Sequence, residues 1–136
     1  MAKGIPHIDH YMTPSPYSIG QEQKLAQAHK LMRTHAIRHL PVLHGGKLVG
    51  VLSDRDLHLI ESLRDVDPEG VLVEEAMSPT VYTVPPKAPL DEVVREMAHH
   101  KYGCAVVEEN GKVVGVFTTV DAMRAFADLL ETRLSH

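Results

Sequence analysis

Two stretches of this 136-residue chain place a hydroxyl three residues ahead of a carboxylate: Ser53-Asp54-Arg55-Asp56 and Thr118-Thr119-Val120-Asp121. Each follows an apolar run, Gly50-Val51-Leu52 and Gly115-Val116-Phe117, so each reads as a strand feeding a helix. The spacing admits two chemistries. In a capping box the hydroxyl accepts a backbone N–H of the new helix, and the acid reaches back to the N–H of the cap. In a ligand site the same helix start offers free N–H groups and a partial positive charge to a phosphate. The acid then accepts the vicinal hydroxyls of a ribose, joined by the Ser or Thr hydroxyl. Arg55 adds a guanidinium able to hold a phosphate through two bonds. The two readings are compatible, and only the second predicts a purine nucleotide.

Both stretches belong to one internal repeat. Shifted by 65 positions, Met12 falls on Met77, Pro14 on Pro79, Tyr17 on Tyr82, Leu25 on Leu90 and Met32 on Met97. Gly46-Lys47 falls on Gly111-Lys112, Val49-Gly50-Val51 on Val114-Gly115-Val116, and Asp56 on Asp121, with no gap from Met12 to Asp121. Such a register marks a duplicated structural unit. Each copy predicts strand, helix, strand, strand, helix. A short strand is expected at Ser18-Ile19 and at Val81 to Val84. Leu25, Ala28, Leu31 and Met32, and then Leu90, Val93, Val94 and Met97, have the three- and four-residue spacing of an amphipathic helix. Leu40 to Leu43 and Ala105 to Val107 read as strands. Gly45-Gly46 and Asn110-Gly111 supply the positive φ of a tight hairpin into Lys47 to Leu52 and Lys112 to Phe117. The repeats are expected at residues 8–66 and 74–136, with residues 67–73 as the joint. The last helix, from about Val120 to Arg133, carries Ala122, Met123, Ala125, Phe126, Leu129 and Leu130. A stripe that wide calls for a cover, from the other repeat or from a second chain.

These residues give the chain a resemblance to a pair of CBS domains, the Bateman module. The resemblance is carried by Met12-Thr13-Pro14 and Met77-Ser78-Pro79, by Ile37-Arg38-His39-Leu40-Pro41-Val42, and by Gly46 to Leu57. It runs from about His10 to Ala127. It implies an α/β (α+β) fold of two β-α-β-β-α repeats related by a pseudo-twofold axis, with two clefts between them. It also implies an adenosyl ligand: AMP, ADP, ATP, S-adenosylmethionine, NAD or a cyclic dinucleotide. Asp56 with Ser53, and Asp121 with Thr118, would hold the ribose. Ile37, His39, Leu40 and Pro41, and Tyr102, Cys104 and Ala105, would lie against the adenine. Ser18 with Ile19, and Thr83 with Val84, would close the other side. Arg55 and Arg38 would face the phosphates, with His35, His100 and Lys101 nearby. The copies differ where a ligand is read: the second has Ala105-Val106 for Leu40-Pro41 and Val120 for Arg55. Two unequal sites are therefore expected, the second weaker. The resemblance further implies a homodimer of four repeats and regulation of a separate effector protein.

Composition excludes little but points the same way. The formal net charge of −4 argues against a broad nucleic-acid surface, which needs clustered Lys and Arg. The N-terminus shows no apolar signal region, no run is apolar and long enough to span a membrane, and the single cysteine suits a reducing compartment, so a cytoplasmic protein is expected. The ten histidines form no metal-ligand spacing on a helix face. Cys104 reads as a small core hydrophobe, and Glu74-Glu75 and Glu108-Glu109 as solvated acids. No nucleophile–base constellation appears, so neither catalysis nor a catalytic cofactor is expected. An inosine monophosphate dehydrogenase carries a similar pair, but a (β/α)₈ barrel takes about 250 residues. The competing reading is a structural dimerisation module with no ligand.

Overall fold

A computed structural model describes residues 4–134. The N-terminal three residues and the last two of the expected second repeat lie outside the described residues. In chain order the elements are a 3₁₀ turn (Ile8–His10), β1 (Thr13–Pro14), β2 (Ile19–Gly20), α1 (Leu25–His35), β3 (His39–His44), β4 (Lys47–Ser53), α2 (Asp54–Glu61), α3 (Val73–Ala76), β5 (Thr83–Val84), α4 (Leu90–His100), β6 (Cys104–Glu109), β7 (Lys112–Thr118) and α5 (Thr119–Leu134). The chain is thus a mixed α+β protein with two sheets. It divides into two compact units, residues 16–81 and residues 4–15 with 82–134.

In the unit of residues 16–81 the sheet runs β2-β3-β4, with β2 parallel to β3 and β3 antiparallel to β4. Leu25, Ala28 and Met32 of α1 are buried against Leu40, Val42, Leu52 and Leu57. Leu31, expected on the same stripe, only flanks that core. The hairpin closes through Gly45 and Gly46 at φ 57° and 80°, a conformation that costs glycine nothing. Residues 67–73, expected as a joint, are built into this unit. Leu25 and Val73 donate to the carbonyls of Val71 and Gln23 at 2.8 Å each, and Val73 is fully buried.

The other unit repeats the pattern 65 residues on. Its sheet runs β1-β7-β6-β5. Leu90, Val93 and Met97 pack with Ala105, Val107 and Phe117. Even the irregularities repeat. The hairpin register shifts between Val42 and Leu43 in one unit and between Val107 and Glu108 in the other. The helices α1 and α4 both end on a left-handed non-glycine residue, Ala36 (φ 53°) and Lys101 (φ 60°).

The compact unit and the sequence repeat are different divisions of the chain. Thr13 of the first repeat pairs with Val116 of the second, as β1 on β7. Ser78 of the second repeat pairs with Val51 of the first, through N–H···O bonds of 2.9 and 3.0 Å. Each Met-x-Pro segment therefore adds to the sheet of the other repeat. The lead-in methionines explain the close approach: Met77 covers Gly50 and Met12 covers Gly115, where a Cβ would collide with the sulfur.

Candidate functional site

At the start of α2 the capping box is fully formed. Asp56 N–H donates to Ser53 Oγ at 3.1 Å, and Asp56 Oδ2 accepts the Ser53 N–H at 3.0 Å and the Ser53 hydroxyl at 2.9 Å. Both donors converge on Oδ2. Among the described residues none donates to Asp56 Oδ1, and the side chain is only half-buried. One carboxylate oxygen is thus anchored and the other presented. The Asp54 N–H takes the Arg38 carbonyl at 2.9 Å, so two of the first three amides of the helix are already used inside the protein.

His39 stands across the hairpin from Ser53. Burial holds its imidazole below the ordinary value, Asp54 and Asp56 oppose the shift, and Arg38 adds to it. Ser53, His39 and Asp56 are thus neighbours of the three types found in a hydrolytic triad, but the wiring differs. The serine donates directly to the aspartate, so it is not activated by the imidazole.

The second box has the same frame and a different outcome. Thr118 N–H and Oγ1 donate to Asp121 Oδ2 at 2.9 and 3.2 Å, and Asp121 N–H returns to Thr118 Oγ1 at 3.3 Å. The hydroxyl of Thr13 also reaches Asp121, 3.3 Å from Oδ1 and 3.4 Å from Oδ2. Arg124 stands 3.8 Å from Oδ1. Asp121 is 5% exposed, and it alone among charged residues is found in the described core.

The remaining candidates divide by strand alternation. Leu40 and Ala105 point into the helix-side cores with Ile19 and Val84, so only their backbones can meet a ligand. His39 and Pro41, and Cys104, take the other face of their strands; Cys104 lies opposite Thr118. Ser18 and Thr83 are exposed, and Ile37 and Tyr102 are half-buried at the edge of the cores. Burial pushes the Cys104 thiol up to about 11, which fits a core hydrophobe. Arg55 is exposed with no partner among the described residues. Arg38 lines a groove of about 380 Å³ between α1 and α2 with Arg33, His29 and His58, where His29 Nδ1 lies 2.6 Å from Glu61 Oε2.

Two aromatic columns were missed as units. Tyr17 stacks on His35 at 3.8 Å between ring centroids. At the corresponding place Tyr102 stacks with both Tyr82 (5.3 Å) and His100 (5.0 Å). The 65-residue register contained the signal, since it sets Tyr17 on Tyr82, His35 on His100 and Ile37 on Tyr102. The described residues contain no His, Cys, Asp and Glu cluster able to hold a metal ion, and no helix long and apolar enough to cross a membrane.

Known proteins share this arrangement. A family profile described as CBS domain matches residues 8–60 and 73–128. The inosine-5'-monophosphate dehydrogenase of Korarchaeum cryptofilum is 31% identical over 122 residues, which is 89% of this chain and 24% of that enzyme. The L-aspartate semialdehyde sulfurtransferase of Methanocaldococcus jannaschii is 27% identical over 128 residues, 93% of this chain and 24% of the enzyme. The chain therefore spans about a quarter of the length of these relatives, and the match to the dehydrogenase lies in its CBS part. Among solved structures, a Vibrio cholerae protein assigned to acetoin utilization (AcuB) superimposes with a TM-score of 0.85 at 29% identity, covering 98% of each chain. The CBS domain pair of protein MJ0100, in complex with 5'-methylthioadenosine and S-adenosyl-L-methionine, superimposes with a TM-score of 0.83 at 25% identity, covering 92% of this chain and 98% of that one.

Proposed function

Because the chain belongs to the CBS domain family, we propose that it is a regulatory CBS pair, with repeats at 8–66 and 74–136, that binds an adenosyl ligand and passes its binding state to a separate effector protein. One observation carries the reading: Asp56 anchors one carboxylate oxygen in its own capping box and presents the other at a helix start. A ribose offers two adjacent hydroxyls to such an acceptor. Arg55, exposed one residue before it, supplies a cation for a phosphate or carboxylate tail. His39 and the strand backbone at Leu40 and Pro41 face the base, with Ser18 and Ile19 opposite. The same roles fall to Thr118, Asp121, Tyr102, Cys104, Ala105, Thr83 and Val84 in the second site, which lacks the arginine and is weaker. The 5'-methylthioadenosine and S-adenosylmethionine held by the MJ0100 pair support this ligand class.

The protein acts without catalysis and in the cytoplasm, in keeping with its lone, buried and unpaired Cys104. It works as a homodimer covered along α5, where Val120, Met123, Phe126 and Leu130 are 41–67% exposed. That stripe also favours the second reading, a dimerisation module with no ligand. A thermal-shift screen with AMP, ADP, ATP, S-adenosylmethionine, NAD and cyclic dinucleotides separates the two. A ligand at a hundred times its Kd adds about 2.7 kcal/mol of stability. No shift from any adenosyl compound overturns the sensing role in favour of the dimerisation module. Isothermal titration of Asp56→Ala and Asp121→Ala tests the inequality, with the larger loss expected from Asp56→Ala; equal losses overturn it.

A further inference from the structure

We propose that Thr13 sets the affinity of the second site, its hydroxyl occupying on Asp121 the place of a ribose hydroxyl. The inference rests on the reading of Asp121 as a ribose acceptor and adds the residue that competes for it. Thr13 belongs to β1, which pairs with β7 next to Thr118 and Asp121. That pairing brings Oγ1 within 3.3 and 3.4 Å of the two carboxylate oxygens. A secondary alcohol facing both oxygens of a carboxylate is the chemistry a ribose would bring. The occupant is thus supplied by the protein.

The other repeat serves as an internal control. Ser78 stands where Thr13 does in the 65-residue register, and it pairs with Val51 as Thr13 pairs with Val116. Its hydroxyl turns instead to the Thr80 carbonyl at 3.2 Å. Asp56 Oδ1 is left with no donor among the described residues. The two sites therefore differ in occupancy before any ligand arrives: Asp56 is open and Asp121 is already capped. A ligand at Asp121 must first turn out Thr13. An exposed threonine side chain can rotate about χ1 with its backbone pairing intact, so the cost falls on one hydrogen bond.

The test isolates the second site by working in an Asp56→Ala background, with S-adenosylmethionine and AMP as probes in isothermal titration. Replacing Thr13 by Val keeps the β-branched shape and removes the donor. The double variant should bind the better probe about fivefold more tightly than Asp56→Ala alone, the equivalent of one ordinary hydrogen bond of about 1 kcal/mol. Thr13→Ser, which keeps the donor, should stay at the parent affinity. Melting temperatures monitor the fold, and a contact that only pins β1 to its sheet would lower Tm without tightening binding. Unchanged or weaker affinity in Thr13→Val, with binding still abolished by adding Asp121→Ala, overturns the proposal and leaves the ribose reading standing. Binding indifferent to Asp121→Ala, or absent from every variant, overturns both.

Discussion

Ser53 Oγ donates to Asp56 Oδ2 at 2.9 Å and in return accepts the Asp56 N–H at 3.1 Å. The same two residues thus close the helix and frame the candidate ribose acceptor, and substitutions can separate the roles. Ser53→Ala removes an N-cap and should cost about 1 kcal/mol of stability. Ser53→Thr should stay within about 0.5 kcal/mol, since Thr118 performs the same cap in the other repeat. Urea midpoints of the two variants check this; equal losses would show that the box contributes nothing.

Gly50 and Gly115 occupy the same repeat position, yet alanine should not cost the same at both. A methyl on Gly50 would stand 2.8 Å from the Ser78 carbonyl oxygen, which is fixed by its bond to Val51 N–H, as well as 2.5 Å from Met77 Sδ. The three atoms nearest a methyl on Gly115 would all belong to the flexible Met12 side chain. Overpacking of a rigid neighbour costs about 1–3 kcal/mol, and an unbranched methionine adapts at the low end. Gly50→Ala is therefore expected to be the more destabilising by about 1 kcal/mol or more, measured as the difference in unfolding free energy. The reverse order would mean that the lead-in segment at Ser78 yields more easily than Met12.

The elements that bury a face were legible in the sequence, because periodicity records burial. The α1 and α4 stripes, the β3–β4 and β6–β7 hairpins and both helix starts lie where spacing and turn residues put them. What was not legible depends on backbone bonds that leave no pattern in side chains. The two-residue β1 is too short for alternation. Nothing in Thr13 or Ser78 announces which sheet it joins, so the exchange of lead-in segments was invisible. Val73 looked like part of a joint because four-residue α3 shows no period, although its N–H and side chain are both claimed by the unit around it. At the site, the boxes were readable but their difference was not. The sequence contrast at Arg55 and Pro41 pointed to inequality, whereas the contrast in hydrogen bonding runs through Thr13, which is distant in sequence from Asp121.

Cys104 offers a chemical check on the buried strand face beside Thr118. With its thiol pushed up to about 11 from an ordinary 9.0, about a hundredfold less thiolate forms at pH 8 than on an unfolded chain. Iodoacetamide should therefore label the native protein slowly and the urea-unfolded protein rapidly. Burial disfavours the thiolate, so stability should also fall as pH rises from 9 toward 11, where the unfolded chain has lost a proton that the folded chain keeps. Cys104→Ala should reduce that alkaline slope and leave the part contributed by Tyr82, whose hydroxyl burial also pushes up. Rapid labelling of the native state would place the thiol in solvent.

His39 gives the opposite slope on the acid side. Burial lowers its pKa from 6.5, Arg38 lowers it further, and the carboxylates of Asp54 and Asp56 pull it back up. The unfolded chain therefore takes its proton at a higher pH than the folded one. The contribution of His39 to stability is complete above pH 6.5 and is lost as pH falls through the folded value. His39→Gln should flatten stability in that window. Asp56→Asn removes one of the two opposing charges, so it should drive the His39 pKa lower still and steepen the loss. An NMR titration of the imidazole in wild type and Asp56→Asn reads both effects directly. A His39 that titrates at or above 6.5, or one unmoved by Asp56→Asn, would separate the imidazole from the carboxylate and remove His39 from the candidate site.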